Sequence, residues 1–149
     1  MPTITILGLG PGAFEDLTLR ALHVLEGASH VILRTERHPC IAEVRAHLAA
    51  GCTVTSCDDL YEQEAAFADV YAAIVARVLL AGEQGDVVYA VPGHPWVGEA
   101  TTPQIIAGAQ ERGIPVQMVG GLSFVEAAYA AVGVDLMDGS QVCDAMLLA

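Results

Sequence analysis

The chain has 149 residues and carries 18 acidic side chains against 6 basic ones, a formal charge of −12. Hydrophobic residues make up 54% and charged ones 16%, too apolar for a disordered segment, and no charge-free run, Gly113–Val125 with its Pro115 included, reaches the roughly 20 residues that cross a bilayer. All six basic residues are arginines, which excludes a Walker phosphate loop, a Schiff base and a lysine nucleophile, and an acidic chain is a poor partner for nucleic acid.

The length suits one domain, or one domain and part of a second. Thr3–Gly8 reads as a short apolar strand running into Gly8, Gly10 and Gly12. Asp16 is placed to cap a helix through Leu25, with Leu19, Leu22 and Leu25 in its buried stripe and Gly27 as its stop. His30–Arg34 is a second strand, followed by the polar stretch Thr35-Glu36-Arg37-His38 and Pro39. Cys40–Ala50 is helical, with Ile41, Val44 and Leu48 on one face, and Cys52–Thr55 is a third strand. The acids Asp58, Asp59, Glu62, Glu64 and Asp69 read as a solvated helix face.

Glu62–Ala81 is the longest helical pattern, with Phe67, Val70, Tyr71, Ile74, Val78 and Leu79 at the 3.6 period. Asp86–Val91 is a continuous apolar strand of the buried parallel kind. The loop Pro92-Gly93-His94-Pro95-Trp96 follows, with Trp96 expected to be a core or interface anchor. Thr101–Arg112 is a helix with Pro103 in its first turn. Pro115–Val119 is a fifth strand, then Gly120-Gly121, then a helix from Ser123 to Val132 with Ser123 as its N-cap. No pattern is evident after Gly133.

Five strands alternating with helices predict an α/β fold: a five-stranded, mainly parallel sheet flanked by helices. Ligands in such folds sit beyond the C-terminal strand ends. The unusual loops fall there: Gly8–Gly12, Arg34–Pro39, Pro92–Trp96 and Gly120–Ser123. Gly8-Leu9-Gly10-Pro11-Gly12-Ala13 matches the dinucleotide fingerprint, and Glu36 lies where a ribose-binding acid would sit. Against an NAD site, Pro11 removes an amide from the turn, and Glu15 and Asp16 repel phosphate at the helix start. A purely structural tight turn is the other alternative. His94 is a candidate donor or base, and Gly93 admits close approach to the backbone. Ser123 lacks the glycine frame of a nucleophile elbow.

None of Cys40, Cys52, Cys57 and Cys143 forms a CxxC pair. Reduced thiols in a cytoplasmic protein without a metal site are expected. No basic segment precedes an apolar one at the N-terminus, so no signal peptide is expected.

Gly8-Leu9-Gly10-Pro11-Gly12 with Leu17-Thr18, Pro92-Gly93-His94-Pro95, and Val119-Gly120-Gly121-Leu122-Ser123 resemble, in that order, the tetrapyrrole (corrin/porphyrin) methylase superfamily of class III methyltransferases. Arg34–Pro39, Asp58-Asp59-Leu60-Tyr61-Glu62 and Pro92-Gly93-His94-Pro95 look more specifically like the methylase-like N-terminal domain fused to MazG-type nucleotide pyrophosphohydrolases, the YabN type. The resemblance implies S-adenosylmethionine as cofactor, held in a cleft between two α/β domains. Its contacts would be Pro11, Pro92, Gly93, His94, Val97, Ser123 and Phe124. His94 and Glu36 are candidate catalytic bases, and Arg34 and Arg37 are candidate substrate contacts. This chain has His94 where the usual methylases carry aspartate.

Residues 1–121 are then expected to form the N-terminal methylase-like domain, and 122–149 a linking helix and the start of a second domain that is largely absent. The resemblance also implies a small-molecule substrate, a cytoplasmic homodimer and a fused pyrophosphohydrolase. The acidity argues against a uroporphyrinogen-like polycarboxylate as substrate. Alternatives are a non-catalytic ligand-sensing or assembly domain that regulates the hydrolase, and an NAD-binding enzyme.

Overall fold

Alternation along each strand decides which residues meet which helix layer. A computed structural model of the chain describes residues 1–63 and 66–144. Strands β1 (Ile4–Gly8), β2 (His30–Leu33), β3 (Thr53–Ser56), β4 (Val87–Val91) and β5 (Val116–Val119) form one sheet in the order β3-β2-β4-β1-β5. Every pairing is parallel: Ile4 lies opposite Val87 and Val116, and Val31 opposite Val54 and Val88.

Ile4, Ile6, Ile32, Val87, Tyr89 and Val91 point to one face of the sheet. There they meet α3 (Asp58–Gln63), α4 (Phe67–Gln84) and α5 (Thr101–Glu111) through residues such as Leu60, Ile74 and Ile105. Leu7, Val31, Leu33, Val88 and Ala90 point to the other face, toward α1 (Leu19–Glu26) and α2 (Ile41–His47) through Ala21, Leu25 and Val44. Each fully buried aliphatic side chain contributes about 1.5–3 kcal/mol of transfer free energy. All five β4 residues are buried, as an apolar run at the centre of a parallel sheet requires. Tyr89 is wholly buried, and its hydroxyl lies 3.0 Å from the Thr101 hydroxyl, which satisfies it.

Several boundaries differ from the sequence expectation for local reasons. The cap of α1 is Thr18, whose hydroxyl accepts the Ala21 amide at 3.1 Å. Asp16 ends a separate 3-10 turn, Phe14–Asp16, and the extended Leu17 divides the two. Leu19 is therefore 75% exposed, and Ala21 and Leu25 are the buried positions. Helix α2 stops at His47 because Leu48 turns extended. Asp58, Asp59 and Glu62 lie on the short helix α3, started by the Ser56 hydroxyl, which accepts the Asp58 amide at 3.0 Å, while Asp69 is on α4. The acids therefore do not share one helix face; Glu64, like the tail from Ala145, lies outside the described residues. Trp96 is 56% exposed and is no core anchor.

Helix α6 (Phe124–Val132) starts at Ser123 as expected. The Ser123 hydroxyl accepts the Val125 amide at 3.1 Å and donates to Glu126, whose carboxylate in turn accepts the Ser123 amide at 3.0 Å. The helix buries none of its residues.

Candidate functional site

Strands β1 and β4 are neighbours, but the helices that follow them depart to opposite faces, α1 to one and α5 to the other. A crevice opens at the C-terminal ends of such a strand pair. Here it is floored by two loops bonded to each other. The Gly93 amide donates to the Gly10 carbonyl at 2.7 Å, and the Gly10 amide to the Gly93 carbonyl at 3.2 Å. Both glycines have positive φ, +78° and +67°, where a side chain is strained.

The third loop packs on this junction backbone to backbone. A Cβ on Gly121 would lie 2.6 Å from the Gly93 carbonyl oxygen, and one on Gly8 only 2.4 Å from it. The glycines after β1, β4 and β5 are thus needed first so that three loops can touch.

His38 locks the fourth loop to the same point. Its Nε2 donates to the Gly10 carbonyl at 3.0 Å, which leaves Nδ1, 3.1 Å from the Cys40 sulfur, as an acceptor for the thiol. Burial lowers the His38 pKa, and the carbonyl contact opposes this in part. Burial pushes the Cys40 thiol up to about 11, so it stays protonated.

Above the junction lies an open cavity of about 540 Å³. One end is made of the loops after β1, β4 and β5, through Pro11, Pro92, Gly93, Val97, Gly98 and Phe124. The other end is made of the β2 loop and α3, through Arg34, Thr35, Arg37, Asp58, Tyr61 and Glu62, with Glu99 as a further carboxylate.

The charged end is rigidly built. Asp58 accepts the Thr35 hydroxyl at 2.7 Å, the Glu36 amide at 2.7 Å and the Ser56 hydroxyl at 2.8 Å. Burial works against its charge, but the Glu36 amide and the two hydroxyls win, and its pKa lies below the usual carboxylate value. Asp58 is therefore a clamp, not a base. Arg77 fixes the same turn, with paired bonds of 2.7 Å to Asp59 and one of 2.6 Å to the Ser56 carbonyl. The Arg34 guanidinium lies 5.0 Å from the Tyr61 ring and 5.6 Å from the Tyr71 ring. Its Nε is 3.4 Å from Glu99, and both side chains are nearly buried, at 12% and 9% exposure. Glu99 also accepts the Thr101 hydroxyl at 2.6 Å.

Of the residues singled out from sequence, Pro11, Pro92, Gly93, Val97, Phe124, Arg34 and Arg37 line this cavity together. His94, Glu36 and Ser123 do not. His94 turns back on its own loop: Nδ1 accepts the Trp96 amide at 3.1 Å, and a Cβ on Gly120 would lie 2.9 Å from Nε2. The Glu36 carboxylate pairs with Arg45. Ser123 is spent on the α6 cap. Thr35, Asp58, Tyr61, Glu62, Gly98 and Glu99 line the cavity without having been assigned a role from sequence. The Asp58–Glu62 element carried a signal through its family resemblance. Glu99 carried none.

A family model for the tetrapyrrole (corrin/porphyrin) methylases matches residues 3–146. The chain belongs to this family. Among curated proteins, this methylase-family chain is 34% identical over 146 residues to the uncharacterized protein YabN of Bacillus subtilis (strain 168), covering 98% of the chain and 29% of that protein. Among solved structures, it resembles uroporphyrin-III C-methyltransferase from Thermus thermophilus with a TM-score of 0.68 and 26% identity, over 91% of this chain and 54% of that one. It also shares the fold of a cobalamin biosynthetic enzyme, cobalt precorrin-4 methyltransferase, with a TM-score of 0.65 and 22% identity over 90% of this chain and 52% of that one. The chain thus spans less than a third of the curated relative and about half of each methyltransferase. Among the described residues, no helix is long and apolar enough to cross a membrane.

Proposed function

We propose that this chain is the cofactor-binding lobe of a class III methyltransferase that uses S-adenosylmethionine and methylates a small molecule other than a uroporphyrinogen-like polycarboxylate. One observation carries the reading: a ligand-sized cavity, seated on the bonded Gly10–Gly93 junction at the β1/β4 switch point, in a chain of a methylase family. The residues present suit such a cofactor. A volume of about 540 Å³ falls within the roughly 300–1,000 Å³ of small-molecule sites. Pro11, Pro92, Val97 and Phe124 offer apolar surface to a nucleoside.

When bound, the cofactor would supply an electrophilic methyl group carried on a sulfonium. The chain's own task is placement. The rigid Pro92–Gly93 and Gly10–Pro11 corners orient the ligand, and Phe124 shields it from water. Neither candidate base lines the cavity, so His94 is assigned to holding the Pro92–Trp96 loop and Glu36 to holding α2 through Arg45. An acceptor that is already nucleophilic needs no base; one that is not releases its proton to water at the open mouth.

The reading extends to the whole polypeptide. Residues 122–149 are proposed to open a second lobe, supported by an α6 that buries nothing on the sheet. Resemblance to the YabN type supports a cytoplasmic homodimer with a fused MazG-type pyrophosphohydrolase. A second reading, a ligand-sensing domain regulating that hydrolase, is favoured by His94 standing where the usual methylases carry aspartate.

Calorimetric titration of the full chain with S-adenosylmethionine, S-adenosylhomocysteine and NAD tests the proposal. Both sulfur nucleosides are expected to bind and NAD is not. Binding of NAD alone, or of none of the three, would sink it. Binding without turnover of any acceptor selects the sensing role.

A further inference from the structure

The two ends of the cavity differ in chemistry, and the sheet order separates them. The main-chain, apolar end stands over β4, β1 and β5, and the charged end over β2 and β3. Resting on the proposal that the cofactor occupies the first end, the acceptor meets the second.

Three carboxylates, Asp58, Glu62 and Glu99, and two guanidiniums, Arg34 and Arg37, line the cavity. Most of this charge is already spent. Glu99 neutralises Arg34, which is further covered by Tyr61 and Tyr71. Asp58 is saturated by an amide and two hydroxyls. Among the described residues, neither the Arg37 guanidinium nor the Glu62 carboxylate makes a hydrogen bond or an ion pair, although Arg37 lies within electrostatic reach of Asp58 and helps to hold its pKa down. Arg37 and Glu62 are opposite in sign and sit on two elements, the β2 loop and α3, that the Asp58 clamp ties together.

We propose that Arg37 and Glu62 are the specificity-determining residues of the acceptor end, and that they select a compact zwitterion: an apolar body bearing one anionic and one cationic group. A polyanion would meet more carboxylates than guanidiniums, with one of the two guanidiniums already neutralised. A lone anion would meet Glu62 unpaired, and a lone cation would meet Arg37 unpaired. A ligand carrying both charges satisfies both residues, and like-charge contacts exclude the others. The exposed ring of Tyr61, between Asp58 and Glu62 in sequence, provides the apolar contact.

The test uses four probes with the full chain saturated in S-adenosylhomocysteine: L-phenylalanine, phenethylamine, hydrocinnamate and uroporphyrin III. The first three share one aromatic body and differ in charge. Phenylalanine is expected to bind about tenfold more tightly than either singly charged analogue. Arg37→Gln should abolish its advantage over phenethylamine, and Glu62→Gln its advantage over hydrocinnamate. S-adenosylhomocysteine affinity should change by less than about twofold in both variants. Tighter binding of hydrocinnamate or uroporphyrin than of phenylalanine overturns the inference, as does binding of none of the three aromatic probes at millimolar concentration. A large loss of S-adenosylhomocysteine affinity in either variant also overturns it, because these charges would then hold the cofactor. If wild-type chain binds no S-adenosylhomocysteine, the cofactor reading fails instead, and the probe series without nucleoside still decides the charge preference.

Discussion

The His38 Nε2 donates to the Gly10 carbonyl across 28 residues of sequence, to an oxygen that already accepts the Gly93 amide. One carbonyl therefore joins the loops after β1, β2 and β4. A neutral ring with its proton on Nε2 suits both contacts, because it leaves Nδ1 free to accept from the Cys40 thiol.

His38→Ala should cost at least about 0.5–1.5 kcal/mol, the net worth of one hydrogen bond, because the Gly10 carbonyl keeps the Gly93 amide. Because the Gly10 loop floors the cavity, nucleoside affinity should fall as well. Urea denaturation together with a calorimetric titration reads both effects. A fully stable variant with wild-type affinity would show that the latch is unnecessary.

The same ring sets a pH dependence. Its folded pKa lies below the unfolded value of about 6.5, so the unfolded chain binds the extra proton first. The ring's contribution is complete above that value and declines as the pH falls toward the folded pKa. Melting temperatures of wild type and His38→Gln should therefore converge as the solution is acidified below about pH 6.5. Parallel curves through that range would contradict the assignment.

Close approach makes Gly8→Ala and Gly121→Ala costly, since each new Cβ would press on the Gly93 carbonyl oxygen at 2.4 and 2.6 Å. Backbone must shift, for which about 1–3 kcal/mol or more is expected. Gly12→Ala is the control, with nothing within 4 Å of its Cβ and no positive φ. Equal stability of all three variants would remove the interlocked-loop account.

The Arg34–Glu99 pair should behave as a unit. Either Glu99→Gln or Arg34→Met alone leaves a nearly buried charge uncompensated, a loss of about 3–5 kcal/mol at such sites. The double variant should lose less than the sum of the two. A double-mutant cycle in denaturant that returns simple additivity would show that the pair does not interact.

The layered fold was legible because apolar runs such as Val87–Val91 and the helical period of α4 record burial directly. Strand order was not, since it depends on how far each connection travels over the sheet. Asp16 and Thr18 both had the chemistry of a cap, and only the extended Leu17 decided between them. The cavity's apolar end followed from the glycine–proline loops. Its charged end followed only in part: Arg34 and Arg37 were singled out, but whether they, Asp58, Glu62 and Glu99 are free or paired depends on long-range contacts. The Asp58 clamp spans 23 residues to Thr35. His94 illustrates the reverse: a titratable side chain in a functional-looking loop is bonded to the amide two residues on.

The most direct test is the crystal structure of the full chain soaked with S-adenosylhomocysteine. Density for the nucleoside is expected over the Gly10–Gly93 junction, against Pro11, Pro92 and Phe124. Density elsewhere, or a filled cleft at the opposite rim beside His23 and His30, would contradict the account.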